Sequence, residues 1–340
     1  MSGAAAPSVR AQGPGPAPLG PDGLVPLDEV RAAADRLLGI LIRTPLLPCP
    51  ALSERTGHEV RLKCENLQHS GSFKARGAMN FLLQLAPELA ARGVVTYSSG
   101  NHGQALALAA RLRGVRVVVV MPTTAPRVKV SGCERLGAEV VMEGTTSTQR
   151  EVRARAIAEA EGLTVVPPFD HPWIIAGQGT MGLEIHEDWP EVETVLVPVG
   201  GGGMASGVCA ALKRLNPAVR GVGVEPLGAA SMRAALDARG PVTLAGVATI
   251  ADGLAPVRAG ELTFEHVRLL TDDLVTVDDR AIREAAGVLL DDAKLVVEYS
   301  GAAAVAALLA GAVRSPGRTA AIVSGGNLDP SLLAELAAGA

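Results

Sequence analysis

The segment "ETVLVPVGGGGMASGVCAALKRL", residues 193–215, decides the fold class. Its opening run is apolar or β-branched at nearly successive positions, the mark of a strand covered on both faces, as in a parallel sheet. The run passes into Gly200, Gly201, Gly202 and Gly203 and then into a stretch of helical character. Strand, glycine turn and helix in that order read as part of a βαβ unit. Four consecutive glycines expose backbone N–H groups and permit φ > 0, so the turn can wrap an anion at the positive end of a helix. As bare structure it is a flexible turn.

The same rhythm recurs on both sides. "GVVTYSS" (93–99), "VRVVVVMP" (115–122), "AEVVME" (138–143), "LTVVPPF" (163–169), "VRGVGVEP" (219–226) and "TAAIVSGGN" (319–327) are short buried-strand patterns, most of them separated by Ala-rich amphipathic stretches, with a further helix-like segment near 27–38. The expectation is an α/β fold with doubly wound, largely parallel sheets, whose ligands bind beyond the carboxyl ends of the strands. At 340 residues with 48% hydrophobic content, two lobes are expected, and proline-rich "EGLTVVPPFDHPW" (161–173) is the candidate crossing between them. Residues 1–23 lack a charged start followed by an apolar core and read as a disordered tail.

Composition narrows the partners. Aromatics are 2% of the chain and the net charge of −4 is spread without a basic stripe, so neither nucleic acid nor a membrane surface is indicated. No stretch approaches the apolar length of a membrane span. Cys49, Cys64, Cys133 and Cys209 lack the close pairing of zinc or redox motifs, which fits a reducing cytosol. A small-molecule ligand remains.

The turns after the strands carry the candidate chemistry. The glycine turn lacks the Gly-Lys-Ser/Thr ending of a P-loop and fits a dinucleotide fingerprint poorly, although Glu225 after "GVGV" keeps a nicotinamide oxidoreductase reading open. In "TYSSGNHGQALALAA" (96–110), Ser98, Ser99, Gly100 and Asn101 can meet a ring hydroxyl or a carboxylate, or simply cap the helix that follows. His102 has no evident Asp or Cys partner and reads as structural. Ser324, at the end of "TAAIVS", can meet a heteroatom or cap its turn. Glu184, His186, Glu187 and Asp188 in "LEIHEDW" fall on different helix faces and read as a solvated surface rather than a metal site.

One lysine ties these turns together. In "CENLQHSGSFKARGAMNF" (64–81), a helix starting near Ser72 would place Lys74 in its first turn, where the dipole disfavours a cation. An amine so placed has a lowered pKa, and a neutral amine forms a Schiff base with an aldehyde. Lys74 can therefore hold pyridoxal phosphate, with the glycine turn on its phosphate and Asn101 on its phenolic oxygen. A non-catalytic anion-binding module remains the alternative of a different class.

The matches "ENLQHSGSFKARGA", "SSGNHGQALA", "AGQGT", "PVGGGGMASG", "VEP", "ADG" and "SGGN", spread from about residue 27 to the C-terminus, resemble the fold type II pyridoxal-phosphate enzymes, tryptophan synthase beta-like in fold, and among them the threonine/serine dehydratase and serine racemase group. The resemblance implies a large cofactor-binding domain of residues 24–85 and 166–340 and a small domain of 86–165. It implies that Lys74 is the Schiff-base lysine, that Phe73 packs beside the cofactor, that Gly200, Gly201, Gly202, Gly203 and Met204 hold its phosphate, and that Asn101 and Ser324 meet its ring hydroxyl and nitrogen. Ser98, Ser99, Gly100, Asn101 and His102 would receive the substrate carboxylate.

The activity implied is a lyase of amino-acid catabolism that takes L-threonine, L-serine or a related β-hydroxy amino acid to a 2-oxo acid and ammonia, as a cytoplasmic homodimer. Serine racemase or hydroxyaspartate dehydratase/racemase is the same-family alternative, since Ser99 stands where serine racemases keep their second acid/base. A divalent cation such as Mg²⁺ would use Glu225 and the Ala229 carbonyl, but Ser231 occupies the position of an Asp in metal-dependent members, which weakens the site. "PPFD", with Phe169, favours the dehydratases, and Tyr299 in "VEYSGA" departs from the usual proline.

Overall fold

The computed structural model describes residues 19–314 and 317–338, with side chains to Leu336 in the last helix. Of the tail expected over 1–23, residues 1–18 lie outside the described residues; at 19–23 the chain turns, the Gly20 N–H donating to the Leu24 carbonyl.

Among the described residues, ten strands form two sheets. The first runs β1 (Leu46–Pro48), β2 (Val60–Cys64), β10 (Thr319–Val323), β7 (Thr194–Pro198), β8 (Arg220–Pro226) and β9 (Asp273–Val277), in that spatial order. Only the β1–β2 pair is antiparallel. The second sheet has the order β5 (Glu139–Met142), β4 (Val117–Met121), β3 (Val94–Tyr97) and β6 (Thr164–Val165), all parallel. The chain is therefore an α/β protein with parallel-rich sheets, as its strand patterns indicate.

The continuous apolar runs are explained by cover on both faces. In the six-stranded sheet, Leu62, Leu196, Val222, Val224, Ala321 and Val323 pack with the Ala-rich helix Tyr299–Leu309, while Val195, Val197, Ala320 and Ile322 pack with Met204, Val208 and Leu212 of the helix Gly203–Leu215. In the four-stranded sheet, Val94, Val117, Val119 and Met121 face Ala105, Leu106 and Ala109. Their neighbours Val95, Tyr97, Val118 and Val120 face Ala154 and Ile157. The period-2 alternation of side chains thus serves two helical layers at once.

The helix Lys74–Gln84 carries the lysine, and its first residue is Lys74 itself. Ser72, where the helix was expected to begin, is extended (φ −162°, ψ 159°) and bridges Gly325 on the strand-end turn of β10. That bridge ties the lysine to the carboxyl edge of the six-stranded sheet. A buried charge network then fixes the helix from beneath. Arg76 donates to Glu65 (Nη2–Oε1 2.8 Å) and to Glu184 (Nη1–Oε1 2.6 Å), while Lys63 on β2 pairs with Glu184 (2.6 Å) and donates to the Thr44 carbonyl (2.6 Å). Lys63, Glu65 and Arg76 are all buried.

Glu184 corrects the expectation of a solvated face across 184–188. Glu187 and Asp188 do lie near the surface and pair with Arg43, but Glu184 points inward and neutralises two cations. Spacings of three and four put Glu184 on the same side of the helix as Glu187 and Asp188, so nothing local sets it apart; the cations it serves sit on β2 and on another helix, far away in sequence. All four cysteines are free and buried.

Removing one partner of a buried pair leaves the other charge without compensation, which costs about 3–5 kcal/mol. Glu184→Ala strands both Lys63 and Arg76, so chemical denaturation should show a loss at the upper end of that range; a loss under about 1 kcal/mol, typical of surface pairs, would contradict the network's role.

Candidate active site

The carboxyl ends of both sheets face a single cavity of about 770 Å³. Phe73, Lys74, Ser98, Ser99, Asn101, His102, Gly201 and Ser324 line it, so residues spread over some 250 positions of sequence converge on one space. Gly100, Gly200, Gly202, Gly203 and Met204 are not among the lining residues, although each belongs to a turn or helix start that borders it. The Met204 side chain is buried in the core with Val208, which leaves only its main chain for any contact with a ligand.

Lys74 reaches the cavity from the first position of its helix. Its Nζ donates to the Pro168 carbonyl at 2.7 Å and lies 5.1 Å from the centre of the Phe73 ring. Removal from water pushes its pKa from 10.5 down to about 8. Burial is the cause that the assembled structure supplies, beside the helix start expected from the sequence. His102 is pushed further, from 6.5 to about 3, by burial and by the nearby Lys74 charge. It is therefore neutral, with Nε2 3.4 Å from the Val166 carbonyl and Nδ1 buried without a partner.

The glycine turn is as tight as its sequence implies. Gly202 has φ +95°, and a Cβ there would meet Met232 Cε at 2.6 Å; a Cβ on Gly201 would lie 2.3 Å from the Phe169 ring. No side chain fits either place, and the turn leads into the N-terminus of the helix Gly203–Leu215. Backbone N–H groups and the positive helix end are thus the features a ligand would meet. Thr263 braces the turn by donating its hydroxyl to the Gly201 carbonyl at 2.6 Å.

The polar turn before the helix Asn101–Arg113 is partly a cap. Ser98 Oγ accepts from the N–H groups of Gly100 (3.0 Å) and Gly103 (3.1 Å) and retains its own hydrogen for donation into the cavity. Asn101 is held at both ends: its amide nitrogen donates to Glu298 Oε1, and its carbonyl oxygen accepts from Asn327 Nδ2 at 3.0 Å. Ser324 is buried, with its hydroxyl 3.4 Å from the Ser300 carbonyl. Ser99, half-buried, lines the cavity.

A planar aldehyde carrying a phosphate fits this donor set. The glycine cradle excludes any Cβ, an amine with a lowered pKa stands in the same cavity, and neutral polar groups at Asn101 and Ser324 offer hydrogen bonds to a ring. A divalent cation fits poorly. Both oxygens of Glu225 accept backbone N–H groups at the start of the helix Ser231–Ala238, from Met232 (2.8 Å) and Arg233 (2.9 Å). Burial raises the Glu225 pKa from 4.5 to about 7, so the carboxyl is in part protonated at neutral pH. Among the described residues no group of three or more His, Cys, Asp or Glu is gathered for a metal, and Ala229 brings no second acid. Glu225, which kept a dinucleotide reading open, is a helix cap.

Sequence reasoning gave no role to several charged residues in or behind the cavity wall, Asp252, Lys129 and Arg150 among them. Asp252 lies in the quoted "ADG" but had no role; Arg150 on the cavity wall and Lys129 behind it sit on helices with other charges close by in sequence and no local signal to single them out. Lys129 Nζ pairs with Asp252 (2.5 Å) and Glu298 (3.4 Å). Arg150 lines the cavity while 8% exposed, with a single weak bond from Nη1 to the Thr145 carbonyl (3.3 Å) and a buried Nε that has no partner. Burial lowers its pKa.

Residues 37–325 match the family described as pyridoxal-phosphate dependent enzyme. The chain is 43% identical over 310 residues to an L-threonine ammonia-lyase of Thermotoga maritima, covering 91% of this chain and 77% of that protein. It is 40% identical over 315 residues to a catabolic L-threonine dehydratase of Escherichia coli, covering 92% and 96% respectively. The structure of maize serine racemase superposes with a TM-score of 0.88 at 38% identity, covering 92% of this chain and 96% of that one.

The lowered amine carries a pH signature. Only the neutral form attacks an aldehyde, so its fraction, and with it the rate, grows as pH rises through the pKa. Reductive alkylation of Lys74 by a small aldehyde, followed by mass spectrometry of its peptide, should rise with a midpoint near 8; a midpoint near 10.5 would contradict the burial effect.

Proposed function

The chain belongs to the pyridoxal-phosphate dependent enzyme family, and from that premise we propose that it is an ammonia-lyase which converts L-threonine or L-serine to a 2-oxo acid and ammonia. The observation that carries the reading is the meeting, in one cavity between two sheets, of the Lys74 amine and the glycine turn at a helix N-terminus.

When bound, pyridoxal phosphate supplies an aldehyde carbon that joins to an amino group and a conjugated ring that withdraws electrons from the α-carbon. The chain's residues do the rest. Lys74 Nζ offers the amine and, once free, takes the proton from the α-carbon; a pKa of about 8 lets one group serve near neutral pH both as nucleophile and as base. Gly200 to Gly203 and the main chain of Met204 bind the phosphate. Asn101, with one amide hydrogen committed to Glu298, directs the other to the ring oxygen. Ser324 bonds the ring nitrogen as a neutral hydroxyl, which moderates the electron sink and favours loss of the β-hydroxyl. Phe73 packs along the cofactor, and the turn from Ser98 to His102 receives the substrate carboxylate. Ser99, on that turn, is the acid/base through which a racemase activity would run.

The same reading makes the enzyme a cytoplasmic homodimer of amino-acid catabolism. Support comes from the four free cysteines and from the catabolic dehydratase among its relatives.

Arg150 favours a second reading of substrate scope. A buried cation with no acidic partner within 4 Å among the described residues, on the cavity wall, suits a substrate with a second carboxylate, such as 3-hydroxyaspartate.

Three assays test these readings. Lys74→Ala should abolish 2-oxo acid formation from threonine and serine, and unchanged turnover would overturn the mechanism. Across a panel of threonine, serine and 3-hydroxyaspartate, Arg150→Met should lower kcat/KM for the dicarboxylate at least about tenfold more than for threonine, as loss of a charge-assisted bond does; equal losses would remove the second reading. Chiral analysis of recovered substrate separates racemase from lyase.

A further inference from the structure

Lys129 stands on the helix Arg127–Arg135, which flanks the four-stranded sheet, and is 5% exposed. Its stem runs beneath the Ser98–Asn101 turn so closely that a Cβ on Gly100 would lie 2.4 Å from Lys129 Cδ. Its amine emerges on the far side of the cleft. There it meets Asp252, in a short turn of the segment between β8 and β9, at 2.5 Å, and Glu298, just ahead of the helix Tyr299–Leu309, at 3.4 Å. Asp252 lines the cavity and is partly exposed, whereas Glu298 is 3% exposed.

Glu298 has a second donor. Its Oε1 accepts from the Asn101 amide, which comes from the same side of the cleft as Lys129. One buried carboxylate on the six-stranded side therefore receives two groups from the four-stranded side, one on each oxygen. Burial raises the Glu298 pKa, while the Lys129 amine and the Asn101 amide favour its charged form, so an anion left there without the amine would stand uncompensated.

We propose that Lys129 is a positioning residue, joining the two sheets across the cleft through Asp252 and Glu298 and, by holding Glu298, fixing which way the Asn101 amide faces the cavity. Asn327 alone does not fix the amide, because a reversed Asn101 could be met by Asn327 turning its own amide over, whereas an ionised Glu298 only accepts. Glycine at 100 follows from the same arrangement: any side chain there would push the lysine stem away from its two acids.

The inference rests on the reading of this cavity as the pyridoxal-phosphate site, and the test separates the two. Full-length wild type, K129M, E298Q and K129M/E298Q are compared for pyridoxal phosphate affinity by absorbance titration and, without cofactor, for thermal unfolding. K129M should bind the cofactor about tenfold or more weakly, as truncating one member of a buried charge pair does. K129M/E298Q should recover most of that loss, because glutamine keeps an oxygen for Asn101 and removes the stranded charge. The unfolding midpoints should show the same rescue.

Wild-type affinity in K129M, or a double variant no better than K129M, overturns the proposal. So does a fall in unfolding midpoint shared by K129M and the double variant with affinity untouched, the mark of a lysine that only fills space. Should K129M be insoluble, recovery of soluble protein in K129M/E298Q supports the pairing and its absence overturns it. If the wild type takes up no pyridoxal phosphate, the cavity reading fails, and the unfolding cycle alone decides whether residues 129 and 298 act as a pair.

Discussion

An amine is useful as a nucleophile only if it is partly neutral, and the enclosure of Lys74 between two sheets is what provides that. The rest of the molecule serves this enclosure. Ser72 bridges the strand-end turn of β10, Arg76 anchors the following turn of helix to Glu65 and Glu184, and Pro168 supplies the carbonyl that receives Nζ. The buried network two residues beyond the lysine is costly to assemble, since each charge must leave water. Once assembled it permits very little displacement, because any shift strands a charge. A reacting group that must stay within bonding distance of a ligand benefits from such a mount.

Electrostatics divide the cavity into zones of opposite character. At the lysine, nothing anionic approaches closely enough to hold the proton, and His102 beside it stays neutral under the same burial. At the glycine turn, backbone hydrogens and a helix end present positive potential without a titrating group. Beneath Asn101 the opposite holds: Glu298, Lys129 and Asp252 form a compact charged cluster whose hydrogen bonds orient a neutral amide. On the outer wall Arg150 keeps an unanswered charge. The contrast between satisfied and unsatisfied cations in one cleft distinguishes mounting from recognition.

Much of this was legible in the sequence. The strands with unbroken apolar runs, β3, β4, β7, β8 and β10, could be read because cover on both faces removes the need for polar residues. β2 was harder: Val60-Arg61-Leu62-Lys63 alternates like a half-exposed strand, yet Lys63 is wholly buried, its charge met by Glu184 from 121 positions away. The strand-end turns were legible because glycine, serine and asparagine mark local backbone demands. Lys129, Arg150 and Glu184 were not, because a charge on a helix looks the same in sequence whether it faces water or a partner brought by the fold. The lowered pKa of Lys74 was anticipated from the helix end alone; enclosure, a property of the assembled sheets, was not visible in the local sequence.

The most direct test is to locate the bond itself. The full-length protein would be loaded with pyridoxal phosphate, reduced with borohydride, digested, and searched by mass spectrometry for the phosphopyridoxyl group. The account requires that group on the peptide carrying Lys74, at that residue and in near-stoichiometric amount. A reduced adduct confined to other lysines, or none at Lys74 at saturating cofactor, would contradict it.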